Sequence, residues 1–299
     1  MRMKYYDKDT VIFHNGEFIK AEEAKADLFS QSLHYGNGVF DAMRAYDTAL
    51  GPHIFKAKEH ITRFIEAAKT MHLDIDYNVD ELVGVSYQLL EENGFTDAYI
   101  RPLVYADENM DLTPTKKHNL FIAAFRWDKF LGKDLLDITI SAYTRPSPYS
   151  FNVEAKISGH YINSIVSIAE AKERGFDDAL LLDVDGFISE GTGANFFFEK
   201  GGKLYTSQRG HIYPGITRNV VFDIAKSLGV EVVEGQYKPE DLNDIDGAFF
   251  TGTAAQITGI NSIDKKPMNK DWENTIGCEV FEKYRQFVTQ SEYDNYSII

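Results

Sequence analysis

The chain has 299 residues, 43% of them hydrophobic and 26% charged, proportions that suit a globular protein of one large domain or two modest ones. Its 31 basic and 46 acidic residues leave a formal charge of −15, a field that repels nucleic-acid phosphates and anionic membranes and excludes both as expected partners. One cysteine, Cys278, excludes an intrachain disulfide and a cysteine-rich metal site.

Asn15-Gly16 between two short apolar runs, Val11–Phe13 and Glu17–Ile19, predicts a hairpin. Ile61, Phe64, Ile65, Ala68 and Met71 recur at helical spacing over Lys58–Met71. Leu82, Val85, Leu89 and Leu90 mark a second helix, stopped by Gly94. Ala98–Tyr105 and Asn119–Trp127 read as strands. The short, charged, glycine-containing stretch 128–134 reads as a linker, dividing a small N-terminal domain, 1–127, from a larger domain, 135–299.

Beyond the linker come a strand at Asp137–Tyr143, a loop rich in Pro and Ser, and a helix carrying Ile162, Ile165, Val166 and Ala169 that ends at Gly175. Asp185-Gly186 and Gly201-Gly202 each predict a hairpin turn. Ile216, Val220, Ile224, Ala225 and Leu228 form a further amphipathic helix, and Ala248–Thr251 reads as the last buried strand. The order is mixed α+β, without the regular alternation of a doubly wound sheet. No run is apolar enough to cross a bilayer and the charged start has no apolar signal segment, so a cytoplasmic protein is expected.

Several chemistries lack their residues. The eight histidines include no His-x-x-x-His pair on a helix face, so no metal site is expected. There is no P-loop and no G-x-S-x-G elbow, and Gly36-Asn37-Gly38 is only part of a dinucleotide fingerprint. Asp183 and Asp185 sit in a two-residue turn, where Asp is ordinary turn chemistry.

Four segments do combine. Pro214-Gly215-Ile216-Thr217-Arg218 opens a helix whose first N–H groups suit a phosphate. Thr251-Gly252-Thr253-Ala254-Ala255 ends an apolar strand in small residues that let backbone approach a ligand. Glu190, before Gly191-Thr192-Gly193, offers a carboxylate to a protonated ring nitrogen. Lys156, just before a helix and outside any charge run, is an amine able to attack an aldehyde. Each segment alone also reads as ordinary structure: a helix start, a tight turn, a surface acid, a solvated lysine. Together they supply what pyridoxal 5'-phosphate requires.

The order and spacing of these segments, with His34-Tyr35-Gly36, Val39-Phe40, Glu59-His60 and Arg63, Tyr99-Ile100-Arg101-Pro102, Tyr161 and Gly252-Thr253-Ala254-Ala255, resemble the fold-type IV pyridoxal-phosphate enzymes. The chain is most similar to the branched-chain amino acid aminotransferases, over nearly its whole length. The resemblance implies a two-domain, D-amino acid aminotransferase-like fold, with a small N-terminal α/β sandwich and a larger C-terminal domain containing a pseudo-barrel. It implies a Schiff base on Lys156, Glu190 on the pyridine nitrogen, Tyr161 on the phenolic oxygen, and Arg63, Ile216, Thr217 and Thr253 on the phosphate. Tyr99 with the backbone of Thr253 and Ala254 would take the substrate α-carboxylate, and Arg101 the side-chain carboxylate of glutamate. Phe40, Trp127 and Phe130 would line the side-chain pocket. Tyr35 and the 110–112 loop are similar to elements that reach across a homodimer interface.

The expected reaction is ping-pong transamination of leucine, isoleucine and valine with 2-oxoglutarate. The chain departs from the family around Lys156 (Ile-Ser-Gly-His follows it), in 36–42, at Phe130, where Tyr is common, and at Ala194, where Glu is common. Transamination of D-amino acids or other amines, lysis of aminodeoxychorismate, and a non-catalytic relative are the alternatives; intact Lys156 and Glu190 count against the last.

Overall fold

Asn15 and Gly16 both adopt positive φ, 50° and 96°, and they join β1 (Val11–His14) to β2 (Glu17–Lys20) in the predicted hairpin. This hairpin opens the first of two compact units in the computed structural model, which describes residues 5–127 and 130–289. The first unit comprises residues 5–127 with Ala155–His160; the second comprises residues 130–154 and Tyr161–Val288.

In the first unit the chain continues through α1 (Gln31–Tyr35), β3 (Gly38–Phe40), β4 (Met43–Thr48), β5 (Gly51–Ile54), α2 (Ala57–Thr70), α3 (Val79–Asn93), β6 (Ala98–Ala106) and β7 (His118–Phe125). Among the described residues seven strands form one sheet in the order β2-β1-β7-β6-β4-β5, with β3 also paired to β6. The helical stripe predicted for α2 is its buried face: Ile61, Phe64 and Ala68 pack with Val39, Met43, Ile100 and Ile122. Each large side chain so buried contributes about 1.5–3 kcal/mol. Asn78 and Glu81 cap the start of α3 reciprocally, and Gly94 ends it in left-handed backbone.

The pairing along β6 explains one feature of the site. β3 and β4 both lie against it, with Phe40 opposite Leu103 and Met43 opposite Ile100. Between them the chain breaks register at Asp41 and Ala42. The residue of β6 facing the break is Pro102, which has no N–H to give and accepts instead from Asp41 N–H (3.1 Å). Ala155–His160 joins the same unit: Phe40 N–H donates to the Lys156 carbonyl (3.0 Å) and Gly159 N–H to that of Gly36 (3.1 Å). A Cβ on Gly36 would come within 2.7 Å of the Gly159 Cα, so glycine is required at this crossing.

The second unit runs through β8 (Leu135–Thr144), α4 (Tyr161–Glu173), β9 (Asp178–Leu182), β10 (Ile188–Gly191), β11 (Asn195–Lys200), β12 (Lys203–Ser207), α5 (Ile216–Ser227), β13 (Val232–Gly235), β14 (Gly247–Gly252), β15 (Gln256–Ile263), β16 (Lys266–Pro267) and α6 (Ile276–Thr289). Its sheet has the order β10-β9-β8-β15-β14-β11-β12-β13, with β16 on β15. The pairs β8–β9, β12–β13 and β8–β15 are parallel and the rest antiparallel. Both faces are covered. Phe196 and Phe250 belong to one core, while Phe197 and Phe249, facing the other way, stack at 5.2 Å.

Three features differ from the sequence expectation. Ala248–Thr251 is not the last strand; β15 follows across a turn at residues 253–255. The helix at 161–173 forms, but it buries Ser164, Ser167 and Ala171 and exposes Ile162 and Ile165 (63% and 59%). Small side chains let α4 lie close on β8 and β9, and Ser167 satisfies its hydroxyl on the Asn163 carbonyl within the helix. Of the expected linker, residues 128 and 129 lie outside the described ones; Phe130–Gly132 is a short 3-10 turn, and Phe130 packs against the core of the second unit.

Candidate active site

In the first unit the pleat of β6 sets the arrangement. Tyr99 and Arg101 are two apart and share a face. Phe40, opposite Leu103, is their diagonal neighbour on that face. The Arg101 guanidinium lies 4.5 Å from the Phe40 ring centroid and 5.3 Å from that of Tyr99, and it donates to the Tyr99 hydroxyl at 3.1 Å. Trp127, two residues beyond Phe125, stacks on Tyr99 at 5.0 Å. The Lys156 amine sits 5.8 Å from the other partner of Arg101, the Phe40 ring. Lys156, Phe40, Arg101, Tyr99 and Trp127 therefore form one continuous group. The Arg101 Nε and Trp127 Nε1 groups are buried without a hydrogen-bond partner among the described residues.

Beside that group, Arg63 is engaged with Asp41. Its Nε and Nη2 donate to the two carboxylate oxygens at 2.8 and 2.9 Å, the bidentate geometry a guanidinium favours. His60 Nδ1 stands 2.9 Å from Asp41 Oδ1. An ionised carboxylate has nothing to donate, so Nδ1 carries the hydrogen; the 3.2 Å approach of Arg63 to that nitrogen is then a contact and not a hydrogen bond. Burial alone would raise the Asp41 carboxyl. The Arg63 charge and the bonds from His60 and Arg63 outweigh it and hold the group well below the usual carboxylate range. Burial, helped by the positive charges of Arg63 and Lys156, lowers His60, so it is a neutral donor and not half of an ion pair.

In the second unit Glu190, on β10, is buried and held by Arg145, Tyr213 and Asn195 among others. Arg145 Nη2 lies 2.6 Å from its Oε1, the Tyr213 N–H donates to the same oxygen at 3.1 Å, and the Asn195 amide donates to Oε2 at 2.8 Å. Asn195 also donates to the Tyr213 carbonyl and presses against the start of α5, where a Cβ on Gly215 would meet its Oδ1 at 2.1 Å. Glycine at 215 is thus a packing requirement. Gly215 is the N-cap and gives no side-chain cap, which leaves the N–H groups of Ile216 and Thr217 at an uncapped helix start. Asn195 pairs with Thr251 across β11 and β14, so Gly252 comes close to Gly193 and Ala194. Thr253 and Ala254 follow in the turn, and the Thr251 hydroxyl is buried without a partner among the described residues. This donor set fits a phosphate group. Arg218 does not join it: the guanidinium is buried on Glu234 (2.5 Å) and the Ser207 carbonyl.

The remaining predicted residues are placed as follows. Tyr161 opens α4 and is half-buried. Tyr35, 48% exposed, donates to the Met110 carbonyl at 3.2 Å, which ties it to the 110–112 loop within its own unit. Asp183 spends Oδ1 on the N–H groups of Asp185 and Phe187, as its turn position suggests.

Comparison with known proteins identifies the family. The family described as Amino-transferase class IV matches residues 38–263, a span holding every group above except Tyr35. The chain belongs to the class IV aminotransferases. It is 38% identical to the branched-chain-amino-acid aminotransferase of Salmonella typhimurium over 265 residues, 86% of each chain. Among solved structures, the branched-chain aminotransferase of Thermoproteus uzoniensis with norvaline superposes with a TM-score of 0.90 at 34% identity, covering 95% and 96% of the two chains. The branched-chain amino acid aminotransferase of Thermobaculum terrenum in its PLP form superposes with a TM-score of 0.88 at 29% identity, covering 94% of each chain. The mixed α+β fold expected from the sequence is thus that of the fold-type IV aminotransferases.

Sequence reasoning does not assign four of these polar residues: Asp41 and His60 in the first unit, Arg145 and Asn195 in the second. Arg145 lies in the Pro/Ser-rich loop, 45 residues before the carboxylate it meets, and nothing local announces that pairing. Asp41 carries a readable signal, an acid two residues before Met43 in a stretch of otherwise apolar residues.

Proposed function

We propose that this class IV aminotransferase transfers the amino group of L-leucine, L-isoleucine and L-valine to 2-oxoglutarate in two successive half-reactions. The observation that carries the reading is the Phe40–Arg101–Tyr99–Trp127 surface, an aromatic wall with one guanidinium set into it. An apolar side chain finds ring faces there; the side-chain carboxylate of glutamate finds Arg101, whose Nε has no partner among the described residues. A ping-pong enzyme must accept both in turn.

The cofactor is pyridoxal 5'-phosphate, which when bound supplies an electron sink for negative charge developing at the substrate Cα. Lys156 would provide the amine that anchors it, and its Nζ would take and return the Cα proton. Glu190, an ion-paired carboxylate, would accept from the ring N–H and so keep that proton in place. Ile216, Thr217, Thr253 and Arg63 would hold the phosphate, Tyr161 the phenolic oxygen. Tyr99, with the backbone of Thr253 and Ala254, would orient the α-carboxylate. Phe130 is assigned to the side-chain pocket with Phe40 and Trp127.

A homodimer in the cytoplasm belongs to the same proposal. Leu28, Phe29, Leu33, Met110 and Leu112 are 50–81% exposed on α1 and the adjoining loops, an apolar surface that supports cover by a second copy. No helix of the described residues is long and apolar enough to cross a membrane.

The test is a single half-reaction. Leucine added to the cofactor-loaded protein is expected to bleach the cofactor's visible absorbance, and D-alanine is expected to leave it. Bleaching by D-alanine alone, or pyruvate released from aminodeoxychorismate without an acceptor, would replace this reading with one of its alternatives. Lys156→Ala is expected to abolish the bleaching; retained bleaching sinks the proton-transfer role.

A further inference from the structure

A second carboxylate lies deep in the sheet near Glu190 and takes no part in the chemistry just described. Asp178 opens β9 with no side-chain exposure to solvent. Its Oδ1 accepts the Thr192 hydroxyl at 2.6 Å and the Ala179 N–H at 2.8 Å. Its Oδ2 is buried with no partner among the described residues. A buried acid so thinly satisfied costs stability, and a chain retains such a group where something else depends on it.

Thr192 shows what depends on it here. Residues 191–194 form a tight turn closed by Gly191 N–H on the Ala194 carbonyl (2.8 Å). The turn joins Glu190 to Asn195, the two side chains bonded to each other at 2.8 Å. Its lower side is pressed on β14: a Cβ on Gly191 would reach the Phe250 ring at 2.8 Å, and Gly252 approaches the Gly193 carbonyl. Its other side is held through the Thr192–Asp178 bond, which spans 14 residues of sequence. The charged groups acting on Asp178 are Lys172 of α4 and the neighbouring Asp177. Neither pairs with it, so the hydroxyl is its main side-chain partner.

We infer that Asp178 is a positioning residue: through the Thr192 hydroxyl it fixes the 191–194 turn, and with it the Glu190 carboxylate offered to the ring nitrogen of pyridoxal phosphate. The inference rests on the role proposed above for Glu190. The effect of Asp178 is carried by the Thr192 hydroxyl and the backbone of the turn.

Four variants of the full chain test it: Thr192→Val, which keeps shape and loses the hydroxyl, Thr192→Ser, which restores the hydroxyl, Asp178→Ala and Glu190→Gln. Three quantities are read: hydrogen exchange of the 190–195 amides in the cofactor-free protein, and the affinity and the absorbance maximum of bound pyridoxal phosphate. Thr192→Val is expected to speed exchange across the turn and weaken cofactor affinity by about 10-fold, the scale of one lost bond to a charged group. Its absorbance maximum should move in the same direction as that of Glu190→Gln, and Thr192→Ser should behave as the parent. Asp178→Ala should reproduce Thr192→Val; if that variant does not fold, the threonine pair decides alone. Faster exchange in Thr192→Val with unchanged affinity and absorbance overturns the inference, because the tether is then only structural. Unchanged exchange and affinity together, beside an altered Glu190→Gln, overturn it equally and leave the proposed function standing. A Glu190→Gln protein identical to the parent removes the Glu190 role and this inference with it.

Discussion

Two buried aspartates, one in each unit, sit in opposite electrostatic states. Asp41 receives a bidentate guanidinium, a histidine and the Ala42 N–H, and is held far below its ordinary value of 3.8. Asp178 receives one hydroxyl and one backbone N–H, and burial pushes it up to about 6. Burial is nearly the same at the two positions. What separates them is whether a full counter-charge accompanies the carboxylate into the interior: Arg63 does so for Asp41, and Lys172 stays too far from Asp178 to pair.

The same substitution should therefore have opposite signs in the two units. Asp41→Asn leaves Arg63 without its carboxylate and is expected to cost about 3–5 kcal/mol at pH 7, read by urea unfolding. Because the folded-state value of Asp41 is depressed, its contribution is present above the ordinary 3.8 and is lost as pH falls through the folded value. The gap between parent and variant should thus shrink on acidification. A gap that stays constant down to pH 3 would show that the charge of Asp41 is not what stabilises the site.

Asp178→Asn should gain stability instead. Its folded-state value is raised, so the parent carries no penalty below 3.8 and an increasing one as pH rises through about 6. A neutral isostere escapes it, and the advantage should reach roughly 2–3 kcal/mol by pH 8, at about 1.4 kcal/mol per unit. Unfolding at pH 4 and pH 8 checks this; equal advantage at both would mean that ionisation of Asp178 is not the cause.

The smallest effect concerns specificity. Arg101→Met keeps the length of the side chain beside Phe40 and removes the charge. It is expected to lower kcat/KM for glutamate by about 10- to 100-fold, the worth of a hydrogen-bonded charge, while changing leucine by less than about 3-fold. Equal losses for both donors would assign Arg101 to the integrity of the Phe40–Tyr99 wall and not to carboxylate recognition.

The legible parts of this molecule are those whose cause is local. Asn15-Gly16, Asp185-Gly186 and Gly201-Gly202 mark turns because glycine and asparagine tolerate left-handed backbone. The helix start at Ile216 shows in Pro214-Gly215, and the stripe of α2 in its apolar spacing. α4 is legible as a helix but not in its orientation. Its isoleucines suggest the buried face, and only the close fit of Ser164 and Ser167 on β8 and β9 decides otherwise.

The candidate site divides the same way. Lys156, Glu190, Arg63 and the 214–218 and 252–255 segments are recognisable because spacing along the chain is a property of sequence. That Arg145 pairs with Glu190, that Asp41 holds Arg63, and that Asp178 reaches the 191–194 turn depend on which strands lie side by side. Composition and periodicity determined the elements and the mixed α+β class, and the order and spacing of motifs, with the family they resemble, pointed to the cofactor chemistry. Tertiary structure alone decided which charges are paired, because pairing and burial are set by contacts between residues far apart in the chain.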